Sequence, residues 1–304
     1  MKCLLTVLIL LANMAVQAQT KETCRVALVQ AHLAWGDVDA NLEAFQKRVE
    51  KCRGCDMIVF PELFVSGCEM KKKDKEVAVQ TKDEIAGYYP TVIEKMKEWA
   101  AGSGALIIGS TIYKEEGKFY NRLLAVFPDG HYEYYDKHNC FKKGSFSPGE
   151  KQLVLNWKGH RLATYICYDL RFPDWSRNED RYDTAIYIAN WPESRRDDWN
   201  RLLRERAIEN QANIIAVNCA GTDLGGIIYA GDSYLLSPEG KIVGECEAYK
   251  DDILIVDLLL PVNILYPFSL PHCQQLPDMR SYYKYICNKS YGCCRFFHLS
   301  RFLP

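Results

Sequence analysis

The chain lacks an excess of charge of either sign, because its 38 basic residues are matched by 39 acidic ones. A protein that binds nucleic acid through its surface charge needs a basic field, and the formal net charge here is −1. Nucleic acid is therefore a disfavoured partner. The hydrophobic share of 48% is enough for a large globular core.

The apolar run near the N-terminus, Leu4 to Ala12, is too short to span a bilayer comfortably. Lys2 precedes this run and Val16-Gln17-Ala18 follows it, which is the pattern of a cleavable signal peptide over residues 1–18. We therefore expect a periplasmic or secreted protein that makes no membrane contact after cleavage. A buried N-terminal strand or a misassigned start, with a cytoplasmic protein, are the alternatives.

A metal-binding pattern is also missing. Cys52-Arg53-Gly54-Cys55 is a CxxC, but no second CxxC or matched histidine pair follows it. We interpret these cysteines as ordinary thiols near the end of a helix, and we expect no metal. Of the 13 cysteines, an odd number remains once Cys3 leaves with the signal and Cys167 is reserved for chemistry, which argues against a fully paired disulfide framework. Oxidation of Cys52 with Cys55, or of the tail cysteines, stays open for an exported protein.

Short apolar strands alternate with amphipathic helices, without repeats or linkers. Strands are predicted at 25–30, 57–60, 105–109, 184–189, 214–218 and 253–258, with hairpins at 121–135 and 153–166. Helices are predicted at 41–52, 91–101 and 199–212. This pattern indicates layered α/β packing in one domain, residues 24–260. The segment 261–304 has no clear period and is interpreted as an atypical tail.

Three polar residues follow core strands directly. Glu62 comes after an apolar strand and Pro61, Lys137 after an aromatic strand, and Cys167 after Leu162–Ile166. Singly, each has an ordinary explanation as a turn residue, a surface ion pair or a small core side chain. Together they supply a nucleophile, a proton shuttle and a cation for an oxyanion, which is what amide hydrolysis needs.

These residues carry a family resemblance. The segments Val59–Phe64 (VFPELF), Tyr135–His138 (YDKH) and Ile166–Pro173 (ICYDLRFP) resemble, in order, the three motifs of the nitrilase (carbon–nitrogen hydrolase) superfamily. The resemblance implies an α/β fold of the nitrilase type, an α-β-β-α sandwich that forms four layers in a homodimer. It also implies Glu62 as proton shuttle, Lys137 as electrostatic stabiliser and Cys167 as nucleophile, with the backbone N–H of Tyr168 as a second oxyanion donor. No cofactor is implied.

A narrower resemblance concerns the omega-amidase branch, carried by Cys167–Asn178, Tyr187–Pro192 and Arg206–Gln211. It implies a small amide substrate with a carboxylate, such as 2-oxoglutaramate or 2-oxosuccinamate. A carboxylate needs a cation, and the candidates are Arg171, Arg195 and Arg196, although an ion pair of Arg171 with Asp169 is the favoured interpretation of that arginine. Asn190 and Trp191 are candidate pocket residues, with core packing as the alternative for both.

Two features depart from the family. Members often carry a further glutamate between the lysine and the cysteine, whereas residues 139–149 contain no acid and Glu150 arrives late. The tail lacks the family's usual dimer-interface segment, so dimerisation is less firmly expected.

Several other functions stay open at this stage. They are another amidase, a nitrilase or an N-carbamoyl hydrolase with the same three residues, and a binding homologue with impaired chemistry. A papain-like protease is a weaker alternative, because Cys167 lacks the usual sequence context and His138 is the only obvious base.

Overall fold

Two six-stranded sheets organise the described part of the chain. The computed structural model describes residues 23–67, 79–141 and 145–259. The predicted signal segment 1–18 and the tail 261–304 lie outside these residues. Within the described ranges, no helix is long and apolar enough to cross a membrane.

The first sheet brings distant segments of the chain together. Its strands are Thr23–Gln30 (β1), Met57–Val59 (β2), Leu106–Glu115 (β3), Lys118–Val126 (β4), Tyr132–Asp136 (β5) and Asp252–Leu259 (β14). The order is β14-β1-β2-β3-β4-β5, with β1, β2 and β3 parallel. The predicted hairpin between β4 and β5 is confirmed, with Val126 opposite Tyr132.

The second sheet has a parallel centre. Its strands are Val154–Trp157 (β6), His160–Ile166 (β7), Thr184–Ala189 (β8), Asn213–Asn218 (β9), Tyr234–Leu236 (β12) and Ile242–Glu245 (β13). Their order is β13-β12-β9-β8-β7-β6, and β7, β8 and β9 run parallel. Ala220–Thr222 (β10) and Ile228–Ala230 (β11) form a separate two-stranded ribbon. The predicted hairpin of β6 with β7 is confirmed.

Along the chain, four α-helices occur between strands in the described residues: Val38–Lys51 (α1), Lys82–Gly87 (α2), Tyr89–Ser103 (α3) and Arg196–Asn210 (α4). The predicted helices correspond to α1, α3 and α4, and each starts two or three residues earlier than predicted. For α1 the reason is Asp37, whose side chain accepts from the backbone N–H of Ala40 and caps the helix. Helix α2 was not predicted from the sequence; it is only six residues long and begins with a capping box of Thr81 and Glu84.

Alternation along β1 shows how the layers form. Ala27 and Val29 belong to the core that contains the apolar faces of α1 and α3, whereas Val26 and Leu28 belong to the core shared with the second sheet. The same core includes Trp199, Leu203 and Ala207 of α4. Helices α1 and α3 therefore cover one face of the first sheet, and its other face meets the second sheet. The predicted α/β sandwich of the nitrilase type is confirmed.

The aromatic cluster under α1 leads to a stability prediction. The fully buried Phe45 ring lies 4.7 Å from the Phe60 ring and 4.9 Å from the Phe64 ring. Phe45→Ala should lower the free energy of unfolding by about 3–5 kcal/mol because it leaves a cavity there. Urea denaturation measures this, with Glu43→Ala as the control, since Glu43 is exposed on the same helix. A loss for Phe45→Ala as small as that for the control would contradict the packing.

Candidate active site

Glu62 stands at the carboxyl edge of the first sheet, three residues after β2. Its side chain is buried, and its carboxylate accepts three hydrogen bonds. The donors are Lys137 Nζ at 2.7 Å, Asn121 Nδ2 at 2.7 Å and the backbone N–H of Asn190 at 2.8 Å. Asn121 belongs to β4 of the first sheet and Asn190 follows β8 of the second, so this carboxylate joins both sheets.

Lys137 follows β5 directly and is 5% exposed. Burial by itself would lower the pKa of its ammonium, but the negative charges of Glu62 and Cys167 outweigh burial and raise that pKa above its ordinary value. Lys137 therefore stays protonated at neutral pH. A permanent cation in a buried site stabilises a negative charge more strongly than the same cation in water.

Cys167 occupies the sharp turn between β7 and the 3-10 turn Cys167–Arg171. Its φ of 48° lies in the left-handed region, which a residue with a side chain adopts at a cost of about 1–3 kcal/mol. The residue is 9% exposed. A thiolate at this position lies close enough to Lys137 to raise the pKa of the ammonium.

Asp169 ties this turn to the segment that carries Lys137. Its carboxylate accepts from the backbone N–H of Ile166 at 3.0 Å and the Tyr135 hydroxyl at 2.8 Å. The backbone N–H of Asn139 at 2.7 Å and the Asn139 side chain at 3.0 Å donate to its other oxygen. Burial is the main cause that raises the pKa of Asp169, and it outweighs the opposing charge of Lys137. The turn that carries Cys167 and the segment that follows Lys137 are therefore both held by the buried carboxylate of Asp169.

The predicted ion pair of Arg171 with Asp169 is wrong. Arg171 Nη2 donates instead to Asp198 at 2.6 Å, on the first turn of α4. The physical reason is that Asp169 is fully buried and its oxygens already accept from the backbone, Tyr135 and Asn139. Arg171 itself stays about one-quarter exposed and reaches an exposed acid.

A cavity of about 480 Å³ opens beside Glu62 and Lys137. Of the predicted substrate-binding residues, Asn190 and Arg195 line it. Among the described residues, the lining does not include Cys167, Tyr168, Arg171, Trp191 or Arg196. Trp191 packs in the core, with its ring 5.5 Å from that of Trp199 and its indole N–H on the carbonyl of Arg195. The Tyr168 ring packs edge-on against Phe141.

Asn121 and Asp223 also line the cavity, and neither was predicted from the sequence as a site residue. Asn121 orients Glu62, and Asp223 accepts backbone N–H bonds from Gly225 and Ile227 within its own loop. Asn121 lies within a strand, where its residue type gives no signal. Asp223 brings a second carboxylate to the cavity, whereas Glu150, noted above as a late acid, is exposed.

No disulfide joins any of the cysteines in the described part of the chain. Cys52 and Cys55 are buried, and burial is the largest cause that raises the pKa of each thiol. His138, considered above as the base of a protease, contacts the carbonyl of Gly149 through Nδ1 and stacks on Trp175 at 3.6 Å.

Comparison with known proteins identifies the family of this chain. The carbon–nitrogen hydrolase family model matches residues 25–263. Omega-amidase YafV of Escherichia coli K12 is 35% identical over 260 residues, covering 84% of this chain and 98% of that protein. A 2-oxoglutaramate amidase of Bacillus subtilis is 27% identical over 229 residues, covering 72% of this chain and 85% of that protein.

A solved structure agrees with these relatives. A CN-hydrolase superfamily protein of Xanthomonas campestris superimposes with a TM-score of 0.68 at 28% identity, covering 90% of this chain and 99% of that one. The resemblance drawn from three strand-end motifs is therefore confirmed, and the chain belongs to the carbon–nitrogen hydrolase family, in the omega-amidase branch of the nitrilase superfamily.

Proposed function

We propose that this protein is an omega-amidase-like hydrolase that releases ammonia from small amides bearing a carboxylate, such as 2-oxoglutaramate and 2-oxosuccinamate. One observation carries the proposal: a buried Glu62–Lys137 contact of 2.7 Å faces a small cavity, with the charge of Cys167 acting on the same lysine. The names of the relatives support the choice of substrate class.

The reaction begins with the thiol of Cys167. Glu62 accepts the thiol proton while sulfur attacks the amide carbonyl carbon, and a tetrahedral intermediate forms. The carbon–nitrogen bond then breaks, and the proton held by Glu62 leaves with nitrogen as ammonia. The acyl group remains on Cys167 as a thioester.

Water completes the cycle. Glu62 takes a proton from water, the resulting hydroxide attacks the thioester carbonyl, and the carbon–sulfur bond breaks. The proton returns to sulfur, so the free acid leaves and the thiol is restored. The hydrogen bonds from Asn121 and Asn190 hold the carboxylate in place through both halves.

The oxyanion of both intermediates needs a fixed positive partner. Lys137 supplies it in this proposal, because the ammonium is buried and stays charged. The backbone N–H of Tyr168, which directly follows the nucleophile, is the second donor. Both donors are already in place in the folded protein, so the oxyanion does not depend on hydrogen bonds from water.

A substrate panel tests the proposal as a whole. Amides of 2-oxo acids should be hydrolysed with release of ammonia, which a coupled ammonia assay detects. Turnover of nitriles or N-carbamoyl compounds, with none of the 2-oxo-acid amides, would assign the site to another branch. A binding homologue would hydrolyse none of them.

The nucleophile gives the sharpest single prediction. Cys167→Ala should abolish turnover without unfolding the protein, because the proposed thioester forms on the sulfur of Cys167. Cys52→Ala, which removes a buried thiol at the end of α1, serves as the matched control and should retain activity. Intact mass spectrometry with a slow amide should show an acyl adduct on the wild type and on Cys52→Ala, and none on Cys167→Ala. Wild-type turnover by Cys167→Ala would refute the mechanism.

The charged pair gives a second prediction. Lys137→Met should lower kcat by at least about 10²–10³-fold, because one preorganised oxyanion donor is worth that much. Glu62→Gln should stall both acylation and hydrolysis of the thioester, since an amide cannot accept the proton. Lys158→Met removes a half-exposed ion pair with Asp56 and serves as the control. Steady-state and burst kinetics measure both steps; equal losses in the control would point to a general structural effect.

Export and self-association complete the proposal. We propose that the chain is exported after cleavage behind Ala18, on the strength of the N-terminal pattern, and that it forms a homodimer as its superfamily usually does. Intact mass of protein secreted from a suitable host should correspond to a chain that begins at Gln19. Sedimentation of the purified protein reports its oligomeric state. An uncleaved N-terminus or a monomer would contradict the respective statement.

A further inference from the structure

Arg171, Arg195 and Arg196 are the arginines that the sequence offered as partners of a substrate carboxylate. Their surroundings in the structure differ. Arg171 donates to Asp198, and Arg196 forms a two-bond pair with the buried Asp232, through Nε at 2.5 Å and Nη2 at 2.8 Å. Arg195 takes part in no ion pair among the described residues, and it is the one of the three that lines the cavity.

The immediate surroundings of Arg195 leave its hydrogen-bonding edge available. Its guanidinium lies 4.7 Å from the centre of the Phe141 ring, which covers one face of the group without using its N–H donors. Asp198 is within electrostatic range, since the charge of Arg195 lowers the pKa of Asp198 after the larger effect of the Arg171 hydrogen bond. Asp198 is nevertheless hydrogen-bonded to Arg171.

Asp223 is the other acid that shares the cavity with Arg195, apart from Glu62. Its Oδ1 accepts from the backbone of Gly225 and Ile227, and its Oδ2 accepts from the Tyr229 hydroxyl at 3.3 Å. These bonds bind Asp223 to its own loop. Among the described residues, no protein carboxylate pairs with the guanidinium of Arg195. Its N–H groups are therefore available to an anion that enters the cavity.

The backbone fixes Arg195 relative to the reacting groups. Asn190 donates its N–H to Glu62, and five residues later the carbonyl of Arg195 accepts from the indole of Trp191 at 2.7 Å. The 3-10 turn Glu193–Arg195 between them is closed by a bond from Arg195 N–H to the Pro192 carbonyl at 3.0 Å. The segment that contacts the proton shuttle thus also positions the arginine.

We propose that Arg195 is the residue that selects for a carboxylate on the substrate, by pairing with the acid end of the molecule while the amide lies at Glu62 and Lys137. This inference rests on the proposed amidase function. The planar guanidinium suits two parallel bonds to a carboxylate. A cavity of about 480 Å³ accommodates a short substrate that reaches from one charged end to the other.

The test compares two substrates in three proteins. The substrates are 2-oxoglutaramate and a neutral amide of similar length, hexanamide, and the proteins are the wild type, Arg195→Gln and Arg171→Gln. The measured quantity is the ratio of kcat/KM for the carboxylate substrate to kcat/KM for the neutral one. Arg195→Gln should lower this ratio about 10–100-fold, the usual worth of a charge-assisted bond. Arg195→Lys should restore part of it.

Arg171→Gln is the matched control, because it removes the same charge from an arginine that is paired with Asp198, and its ratio should stay at the wild-type value. Circular dichroism and thermal melting confirm that each variant is folded. An unchanged ratio in Arg195→Gln, or a fall confined to Arg171→Gln, would overturn the proposal. If the wild type itself hydrolyses the neutral amide and not 2-oxoglutaramate, the proposed function fails instead, which keeps the two failures distinct.

Discussion

The buried contact between Glu62 and Lys137 is the interaction on which the site depends. Removing two charges from water is costly, and only excellent geometry with further hydrogen bonds offsets that cost. Here Asn121 and the backbone of Asn190 supply the further bonds. Because the first sheet carries the pair and the second sheet carries Asn190, the full set of hydrogen bonds to Glu62 forms only when both sheets are docked. Folding and formation of the site are therefore coupled.

Asp169 gives the site a second constraint. Its four acceptor bonds hold the strained backbone of Cys167 on one side and the segment after Lys137 on the other. A left-handed conformation at a residue with a side chain persists only where its surroundings determine it. The strained backbone of Cys167 therefore depends on the hydrogen bonds that the buried Asp169 accepts beside it.

In our proposal, the selection of substrate follows from how three arginines are partnered. Arg171 and Arg196 are tied to protein carboxylates, and they brace α4 and the Asp232 segment. Arg195, the last residue of the 3-10 turn Glu193–Arg195, lines the cavity and takes part in no ion pair among the described residues. The proposal thus gives the adjacent Arg195 and Arg196 different roles, one toward the ligand and one in the structure. The three arginines carry the same charge, and they differ in whether a protein carboxylate pairs with them.

The sequence by itself determined the layered α/β packing, the hairpins, the main helices and the position of three polar residues at strand ends, because apolar periodicity and residue type report directly on burial and on local turns. The sandwich architecture followed from the family resemblance. Membership of the family followed from the same motifs. Tertiary structure alone decided the partners: Asp198 for Arg171, Asn121 for Glu62, and Asp223 in the cavity. Such contacts join residues far apart in the chain, and each depends on which acceptors the fold has already satisfied. A linear pattern contains no information about that competition.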